Sequence, residues 1–583
     1  MLRLSPIALL AATCLLSCSP GKVAPGTALF SDFSYRGEAV IPSEGHYSNP
    51  ILRGFYPDPS VCRTGDDYWM VNSSFGYFPG LPVWHSTDLV RWEQCGSALT
   101  RNAEFFTGSN NMVVGTFAPQ ISYNPGNGLY YIICTFVGGY GCFYVTSADP
   151  ASGRWSAPAT LPGIPGIDPS LLFDDDGRAY LVGTASIEDL GETPLYRNDA
   201  AIFMMEFDWE QGTVTGDRHI LVRHGVHPEQ EPASIEGPHL YHIGDKYFLM
   251  CAEGGTEAGH SEVVFSSDSP CGPFEACKIN PILTQRDVED SPVSCAGHAD
   301  LVQGPDGQWY AVFLGVEHID RPNNSIVGRQ TFLLPFEWVD GQPLILAQGE
   351  KVPLSAAMSA DIKARSNASA PARGAFEALW DARDGLCDKT LFIRNPLLGD
   401  TREGLTEADK GFDFNKGRLK GPFWNIDLRG RLCLRGKGAG LGDYGNPAAI
   451  ARRISDKLFS VSVLMDFTPQ GGAAEAGIFC FQNDEHYMLM VKTLDDGGRA
   501  VMRLSEVDGG RTTASYETPL EGREASSPLF LRVQATEPLR YEFAISRDGR
   551  RWKTVGEPLD GGAILVPESW GFMGGTVGIY NRQ

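Results

Sequence analysis

Acidic residues stand at matching points of a repeated pattern and could bring acid and base groups to one site. Five segments share a small or acidic residue beside a proline or glycine, an apolar strand, a turn and a second apolar strand. They begin at Asp58, Ala118, Asp168, Glu236 and His298, with Glu236 one residue out of phase. Turn chemistry explains a single Asp-Pro pair, but three acidic residues at matched positions are harder to explain that way. Asp58, Asp168 and Glu236 are therefore candidate catalytic residues.

Three carboxyl groups held close together would divide the work of acid and base. Like charges cannot all stay ionised, so one group should have a raised pKa and keep its proton near neutral pH. A protonated acid and an ionised base on opposite faces of a sugar are what hydrolysis of a glycosidic bond needs. Asp58 and Glu236 lie two or three repeats apart, which favours the gap of roughly 6.5–9.5 Å that admits a water and inverts the anomeric carbon. Asp168 would adjust the pKa of the acid and hold the sugar.

The repeat also predicts the elements that must position these groups. Its starts are separated by 60, 50, 68 and 62 residues, the length of a propeller blade of about four short strands. Tight turns fit the pairs Gly65-Asp66, Asp176-Gly177, Gly244-Asp245 and Asp306-Gly307. We therefore predict a five-bladed β-propeller over residues 45–350, in which the first strand of every blade lines a central channel.

A second all-β domain should follow the propeller. Residues 351–374 have the small, polar composition of a linker. Strict alternation of apolar and polar residues in 459–467, 529–535 and 541–546 predicts half-buried antiparallel strands. We therefore predict a β-sandwich over residues 375–583. Two domains agree with a length of 583 residues, and many turns agree with 67 Gly and 39 Pro.

The N-terminus and the charge indicate where the protein works. Arg3 and the apolar run 7–16 have the layout of a secretory signal and are too short to span a membrane. The sequence LLSC at 15–18 resembles a bacterial lipobox, which predicts a signal peptide at 1–17, a lipidated Cys18 and an N-terminal tether at 18–44. The prediction is an exported lipoprotein, facing the periplasm or on the cell surface; the alternative is ordinary cleavage and a soluble exported protein. A net charge of −23 argues against nucleic acid as a partner.

The remaining cysteines give no signature of a metal or disulfide site. They are scattered, odd in number and lack a Cys-x-x-Cys pair, so neither a zinc site nor a disulfide framework is predicted. Most should be small buried residues. Cys271 and Cys277 could bridge a loop, which the sequence leaves open.

Five motifs are more specific than an Asp-Pro pair. They are FYPDPS (55–60), NSSFGYFPGLPVWHSTDLVRW (72–92), IDPS (167–170), IEGP (235–238) and GRQTF (328–332). Together they resemble glycoside hydrolase family 43, most closely its β-xylosidase branch. The resemblance implies an inverting exo-enzyme on a five-bladed propeller, with Asp58 as general base, Asp168 as pKa modulator and Glu236 as general acid.

The resemblance also implies residues that bind the substrate. Phe75, Phe117, Ala118 and Arg329 match positions that wall the terminal-sugar subsite in similar enzymes. Aromatic faces stack on sugar rings and a guanidinium donates to hydroxyls; for either phenylalanine, ordinary packing is an equal alternative. Gln330 stands where these relatives usually carry an acid.

One histidine and the C-terminal half complete what the resemblance implies. His298 matches a channel histidine that in some members helps to hold a calcium ion, usually through water; the alternative is a hydrogen-bonding histidine. No cofactor is expected to be required, and a calcium ion would be structural. Residues 476–490 and 546–552 resemble the concanavalin-like, jelly-roll domain of family 43 xylosidases. This domain could shape the active-site pocket, which we favour, or bind sugar independently.

The function implied is removal of a terminal pentose from an oligosaccharide. β-1,4-Xylosidase activity on xylo-oligosaccharides is the leading hypothesis. α-L-Arabinofuranosidase or dual activity on arabinoxylan fragments is the alternative, because the two pentoses present similar hydroxyl geometry. A non-catalytic, carbohydrate-binding propeller lipoprotein is a further alternative, although binding alone needs neither acid nor base.

Overall fold

The computed structural model describes residues 25–38, 40–101, 104, 112–367, 378–394, 412–566 and 573–583. The predicted signal peptide and Cys18 lie outside these residues, as do 368–374 of the predicted linker. The helices described are α-helices Ala360–Asn367 and Arg523–Ser526 and 3₁₀ helices Pro150–Ser152, Pro228–Gln230 and Gly561–Ile564. Within the described ranges, no helix combines the length and the apolar character that crossing a membrane requires.

Five antiparallel sheets, numbered here 1 to 5, follow one another along the N-terminal half. Sheet 1 contains Ser60–Thr64, Asp67–Val71, Gly80–Ser86 and Glu93–Leu99. Sheet 2 contains Gly115–Asn124, Leu129–Val137, Gly141–Ser147 and Ala159–Thr160. Sheet 3 contains Ile167–Phe173, Ala179–Ser186, Ala200–Asp208 and Thr213–Arg223. Sheet 4 contains Glu236–Ile243, Lys246–Glu253, Ser261–Ser267, Glu275–Ala276 and Leu283–Thr284, and sheet 5 contains Val293–Gln303, Trp309–Glu317 and Gln330–Pro335.

The predicted turns fall between the first two strands of their sheets. Gly65, Gly177, Gly244 and Gly307 have φ between +61° and +86°, a left-handed conformation that glycine adopts without steric cost. These turns are confirmed.

The first strand of each sheet contacts the first strand of the next, and that of sheet 5 contacts that of sheet 1. Side-chain hydrogen bonds join these neighbours: Ser60 Oγ to Asp300 Oδ2 (2.7 Å), Ile121 N to Ser60 Oγ (3.0 Å), Leu171 N to Gln120 Oε1 (3.1 Å), Ser170 Oγ to Pro238 O (2.6 Å) and Tyr241 OH to Asp300 Oδ1 (2.5 Å). The starts of the five repeats are thereby brought together.

The C-terminal half forms two antiparallel sheets, named here A and B. In spatial order, sheet A contains Trp424–Ile426, Leu432–Arg435, Thr27–Arg36, Phe459–Asp466, Leu529–Glu537, Arg540–Ser546 and Lys553–Thr554, with Leu559–Asp560 paired to Arg540–Ser546. Sheet B contains Ala448–Arg453, Thr576–Arg582, Glu475–Asn483, His486–Leu494, Ala500–Asp508 and Arg511–Pro519. Apolar side chains of both sheets share one buried cluster, so the predicted sandwich is confirmed, including its three alternating strands.

The described residues also form three two-stranded antiparallel sheets. They are His46–Ser48 with Ser355–Ala357, Glu337–Val339 with Gln342–Leu344, and Trp380–Asp381 with Gly385–Leu386.

Two of the predicted boundaries are wrong. Residues 27–36 of the predicted tether are a strand of sheet A, because Ala28, Phe30, Phe33 and Tyr35 are buried in the sandwich core. In the predicted linker, residues 355–357 form a strand that pairs with His46–Ser48. Residues 360–367 form a helix, and its Ser366 Oγ donates to Asp88 Oδ2 at 2.6 Å. Both segments bind partners far away in the chain, so no local hairpin pattern marks them.

The two domains are not separated by an open linker. Phe78 and Phe392 exchange backbone hydrogen bonds of 3.1 and 2.7 Å, and Trp69 and Trp424 belong to the same buried cluster. The described cysteines are free thiols, with Cys271 exposed and Cys277 buried, so no bridge joins that pair.

Candidate active site

The repeat begins with the same unusual backbone conformation in all five sheets. Left-handed φ values occur at Asp58 (+51°), Ala118 (+37°), Asp168 (+54°), Gly237 (+56°) and His298 (+52°). In sheets 2 to 5 these residues lie at a register shift between the first two strands. Such bulges turn a side chain out of the strand direction, and for non-glycine residues they cost of order 1–3 kcal/mol each. In the fourth repeat the left-handed residue is Gly237, which explains why the acidic residue Glu236 lies one position earlier than the acidic residues of the other repeats.

Both carboxylate oxygens of Asp58 accept hydrogen bonds. The residue is 5% exposed. The guanidinium Nη1 of Arg329 donates to its Oδ1 at 3.0 Å, and the hydroxyl of Ser73 donates to its Oδ2 at 2.5 Å. Because donors to both oxygens stabilise the ionised carboxylate, Asp58 suits the role of general base.

Glu236 and Asp168 form a coupled pair beside Asp58. Loss of hydration, and then the negative charge of Asp58, raise the pKa of Glu236 to about 7, while Arg329 opposes this rise. Burial, and then the charges of Glu236 and Asp58, raise the pKa of Asp168 well above its ordinary value. The amide of Gly237 donates to Asp168 Oδ2 at 3.0 Å and favours its ionised form. The two carboxyl groups therefore titrate as a pair, and burial and neighbouring charges favour the protonated form of both.

Arg329 links the base to an aromatic wall. Its Nη1 also donates to Thr256 Oγ1 at 3.0 Å, and its Cζ lies 5.6 Å from the ring centroid of Phe75. The rings of Phe75 and Phe117 are 4.7 Å apart. Phe75 is 2% exposed and Phe117 is half-buried, so Phe75 supports the wall from behind and Phe117 offers it a surface. The packing alternative therefore describes Phe75, and a sugar-binding role for Phe117 stays a prediction.

Ala118 and His298 lie at the left-handed positions that carry no carboxylate. The amide of Ala118 donates to Ser73 Oγ at 2.7 Å. The His298 ring packs over Gly237, where an added Cβ would lie 2.9 Å from its Cε1. Burial lowers the pKa of His298 to about 4, so its imidazole is neutral near pH 7. It lies near the charges of Asp58, His239 and Arg329, which also act on its pKa.

A calcium site built from protein side chains does not fit around His298. Calcium prefers six to eight oxygen ligands, and the described part of the chain has no group of three or more His, Cys, Asp or Glu side chains placed to hold a metal ion. We derive no catalytic step through calcium.

The sandwich supports the wall of the site directly. Phe55 and Phe75 share a buried cluster with Phe479, Phe481 and other apolar residues of sheet B. Gly575 N donates to Ile326 O at 2.7 Å, just before Arg329. A Cβ at Gly574 would lie 1.9 Å from Val327 O and 2.8 Å from Phe55 Cβ. Only a glycine allows this close approach to the segment that carries Arg329, just before the strand Gln330–Pro335.

Four contributing residues were absent from the sequence-based prediction: Ser73, Thr256, Gly237 and Gly574. Ser73 lies inside the motif 72–92 and Gly237 inside the motif 235–238. The motifs therefore indicated the right segments but not the roles of these two residues. Thr256 and Gly574 lie outside every motif. Their partners are Arg329 and Val327, far away in the chain, and the local pattern carries no signal of such contacts.

Two coupled carboxyl groups with raised pKa values, a third carboxylate that accepts hydrogen bonds from Arg329 and Ser73, and an aromatic wall beside the arginine define the class. They are the groups of a glycoside hydrolase that uses a general acid and a general base. Residues 47–343 match the family described as "Glycosyl hydrolases family 43", and residues 406–583 match "Beta xylosidase C-terminal Concanavalin A-like domain". The chain belongs to glycoside hydrolase family 43, as its motifs predicted, and carries this concanavalin-like domain.

Individual relatives resemble the chain over nearly its whole length. A "Xylosidase/arabinosidase" from Butyrivibrio fibrisolvens is 34% identical and the match covers 91% of this chain and 95% of the relative. A "Non-reducing end alpha-L-arabinofuranosidase" from Bacteroides ovatus is also 34% identical, over 86% of this chain and 84% of the relative. The crystal structure of a GH43_12 protein from a capybara gut metagenome superposes with a TM-score of 0.80 at 32% identity, covering 95% of this chain and 99% of that one.

Proposed function

We propose that this enzyme removes a terminal pentose from the end of an oligosaccharide with inversion, and that β-1,4-linked xylo-oligosaccharides are its main substrates. The observation that carries the proposal is the division of labour among the carboxyl groups. Glu236 has a pKa raised to about 7, whereas Asp58 is held between two donors. Names of relatives that include xylosidase support the choice of pentose.

The reaction would proceed in one displacement. A water attacks the anomeric carbon and its proton passes to Asp58, while the bond to the leaving sugar breaks and its oxygen takes the proton of Glu236. The products are a pentose of inverted configuration and a shortened chain. Asp168, whose Oδ2 accepts the Gly237 amide, would act as the pKa modulator, since its own titration is coupled to that of Glu236.

The same proposal includes a five-bladed propeller as the catalytic scaffold. It is supported by five successive antiparallel sheets and by the hydrogen bonds that connect their first strands, with Asp300 joining sheets 1, 4 and 5. The wall of Phe117, Ala118 and Arg329 would bind the terminal sugar by ring stacking and by hydrogen bonds to hydroxyls. The sandwich would shape this pocket through Gly574.

Hydrolysis of 4-nitrophenyl β-D-xylopyranoside tests the proposal, with ¹H NMR of xylotriose digestion to identify the first anomer released. The expected first product is α-xylose, the inverted anomer. First release of β-xylose would contradict the assignment of Asp58 as base, and absence of activity on every pentoside would contradict the proposed function.

α-L-Arabinofuranosidase activity is the second candidate. The printed name of the Bacteroides ovatus relative favours it. The ratio of kcat/KM on the nitrophenyl xyloside to that on the nitrophenyl α-L-arabinofuranoside decides between the two substrates. A propeller that only binds carbohydrate is disfavoured, since binding requires neither the proton of Glu236 nor the charge of Asp58.

We also propose that the mature protein is an exported bacterial lipoprotein with an acylated Cys18. The LLSC sequence at 15–18 supports this proposal. Labelling cells with a palmitate analogue tests it, and a Cys18→Ser variant provides the control. The calcium ion near His298 stays a prediction, which activity and thermal stability before and after EDTA treatment would test.

A further inference from the structure

Ser73 lies between the general base and the wall of the sugar subsite. It is 0% exposed, and its backbone amide donates to Pro57 O at 3.3 Å. Its hydroxyl is 2.5 Å from Asp58 Oδ2 and receives the amide of Ala118 at 2.7 Å. One buried hydroxyl therefore contacts the first repeat at its catalytic residue and the second repeat at its equivalent position.

The direction of the Ser73 proton follows from these two partners. A backbone amide can only donate, so Ala118 occupies a lone pair of Ser73 Oγ. An ionised carboxylate can only accept, so the hydroxyl proton lies on the line to Asp58. If Asp58 took a proton on Oδ2, the Ser73 proton would have to turn away, and the described residues place no other acceptor in a hydrogen bond with it. The arrangement matches only the ionised form of Asp58.

We propose that Ser73 is a positioning residue that keeps Asp58 ionised and oriented toward the attacking water. The inference rests on the proposed function, because it takes Asp58 as the general base. Arg329 holds Oδ1 and Ser73 holds Oδ2, so the carboxylate plane is set from two sides. Since Ala118 also belongs to the subsite wall, Ser73 ties the orientation of the base to the position of the bound sugar.

The adjacent Ser74 offers a matched control. It is also 0% exposed, and its hydroxyl pairs with Thr116 Oγ1 at 2.6 Å and receives the amide of Leu81 at 2.9 Å. Ser74→Ala therefore removes a buried hydroxyl with the same number of partners from the same turn, without touching Asp58.

The test is the pH profile of kcat/KM for the full-length enzyme and its Ser73→Ala, Ser73→Thr and Ser74→Ala variants, with the thermal midpoint of each. Losing a hydrogen bond to a charged group costs about 1.5–3 kcal/mol, so for Ser73→Ala we expect kcat to fall about 10- to 100-fold. We expect the acid limb to move to higher pH by about one unit, with KM changed little. Ser73→Thr should restore the limb, and Ser74→Ala should leave it in place.

Each result has one meaning. A shifted limb in Ser73→Ala alone supports the proposal. A loss of rate with an unmoved limb, or an equal shift in Ser74→Ala, would overturn it and leave Ser73 a structural residue. If Ser73→Thr does not fold, the comparison of the two alanine variants still decides. Failure of the proposed function would be seen separately, as near wild-type turnover in Asp58→Asn.

Discussion

The five-sheet domain and the C-terminal sandwich both consist of antiparallel strands, yet they differ in where left-handed backbone and charge lie. In the sandwich, alternate residues of 459–466 and 529–537 are buried in a continuous apolar cluster. In the described part of the sandwich, the left-handed non-glycine residues are Asp32, Tyr444 and Leu539, all away from the active site. The inner strands of the five-sheet domain instead have left-handed residues within them or just before them, two of them the candidate catalytic carboxylates Asp58 and Asp168.

The difference shows how the chain accommodates a costly site. Left-handed bulges and buried carboxylates each lower the stability of the folded state. The sandwich contributes regular apolar packing, and its sheet B packs against Phe55 and Phe75 behind the sugar subsite. The regular domain thus stabilises the irregular one at the place where the irregular one is strained.

Removing either carboxylate should have the largest effect on activity. Glu236→Gln and Asp58→Asn should each lower kcat/KM by about a thousandfold or more, because each removes one partner of general acid-base catalysis. The thermal midpoint should change little in Glu236→Gln, which replaces a protonated carboxyl group, and should fall in Asp58→Asn, which removes the charge opposite the buried Arg329. The matched control is Asp175→Asn, an exposed carboxylate in the turn of sheet 3, which should keep full activity. Near wild-type turnover in either active-site variant would refute the assigned roles.

Gly574→Ala should have the next largest effect and tests the contact between the domains. Its Cβ would lie 1.9 Å from Val327 O, so the segment that carries Val327 and Arg329 must move. Displacement by about 1 Å can cost 10²-fold in rate, so we expect kcat/KM to fall about 10- to 100-fold, with a raised KM. Gly578→Ala, which crowds Ile450 O inside sheet B, is the comparison and should lower stability more than activity. Equal kinetic losses in both variants would argue against a specific role for Gly574.

The pH dependence should identify Glu236 as the acid. Glu236 acts in its protonated form, and its pKa is raised to about 7. We therefore expect kcat/KM to stay constant below that pH and to fall about tenfold per pH unit above it. A basic limb at the ordinary pKa of a glutamate would contradict the raised pKa of Glu236.

Truncation in the sandwich core should have the smallest effect on the chemistry. Leu531 is fully buried, and Leu531→Ala should lower the free energy of unfolding by about 2–5 kcal/mol. At a temperature where the variant stays folded, kcat/KM should remain within about twofold of wild type. Denaturant unfolding and kinetics on the same sample provide the measurement. A large kinetic loss in the folded variant would mean that the two domains are coupled beyond their interface.

Local patterns predicted much of the fold but missed long-range pairing. The hairpin turns at Gly65 and Gly244 and the strand 459–466 follow from residues that are neighbours in the chain. The strand Thr27–Arg36 lies in the segment predicted as a tether, and its partners in sheet A lie hundreds of residues later in the chain. Pairing between distant segments leaves no local hairpin signal.

The sequence by itself determined which groups are available for the chemistry and roughly where they recur. Asp58, Asp168 and Glu236 are identified by residue type and repeat position, both of which are local properties. The tertiary structure decided how they titrate, because burial and charges brought together by folding raise the pKa of Glu236 and of Asp168. It also decided the contacts of Ser73 with Asp58 and of Gly574 with Val327, since these depend on distances of a few ångströms between separate parts of the chain.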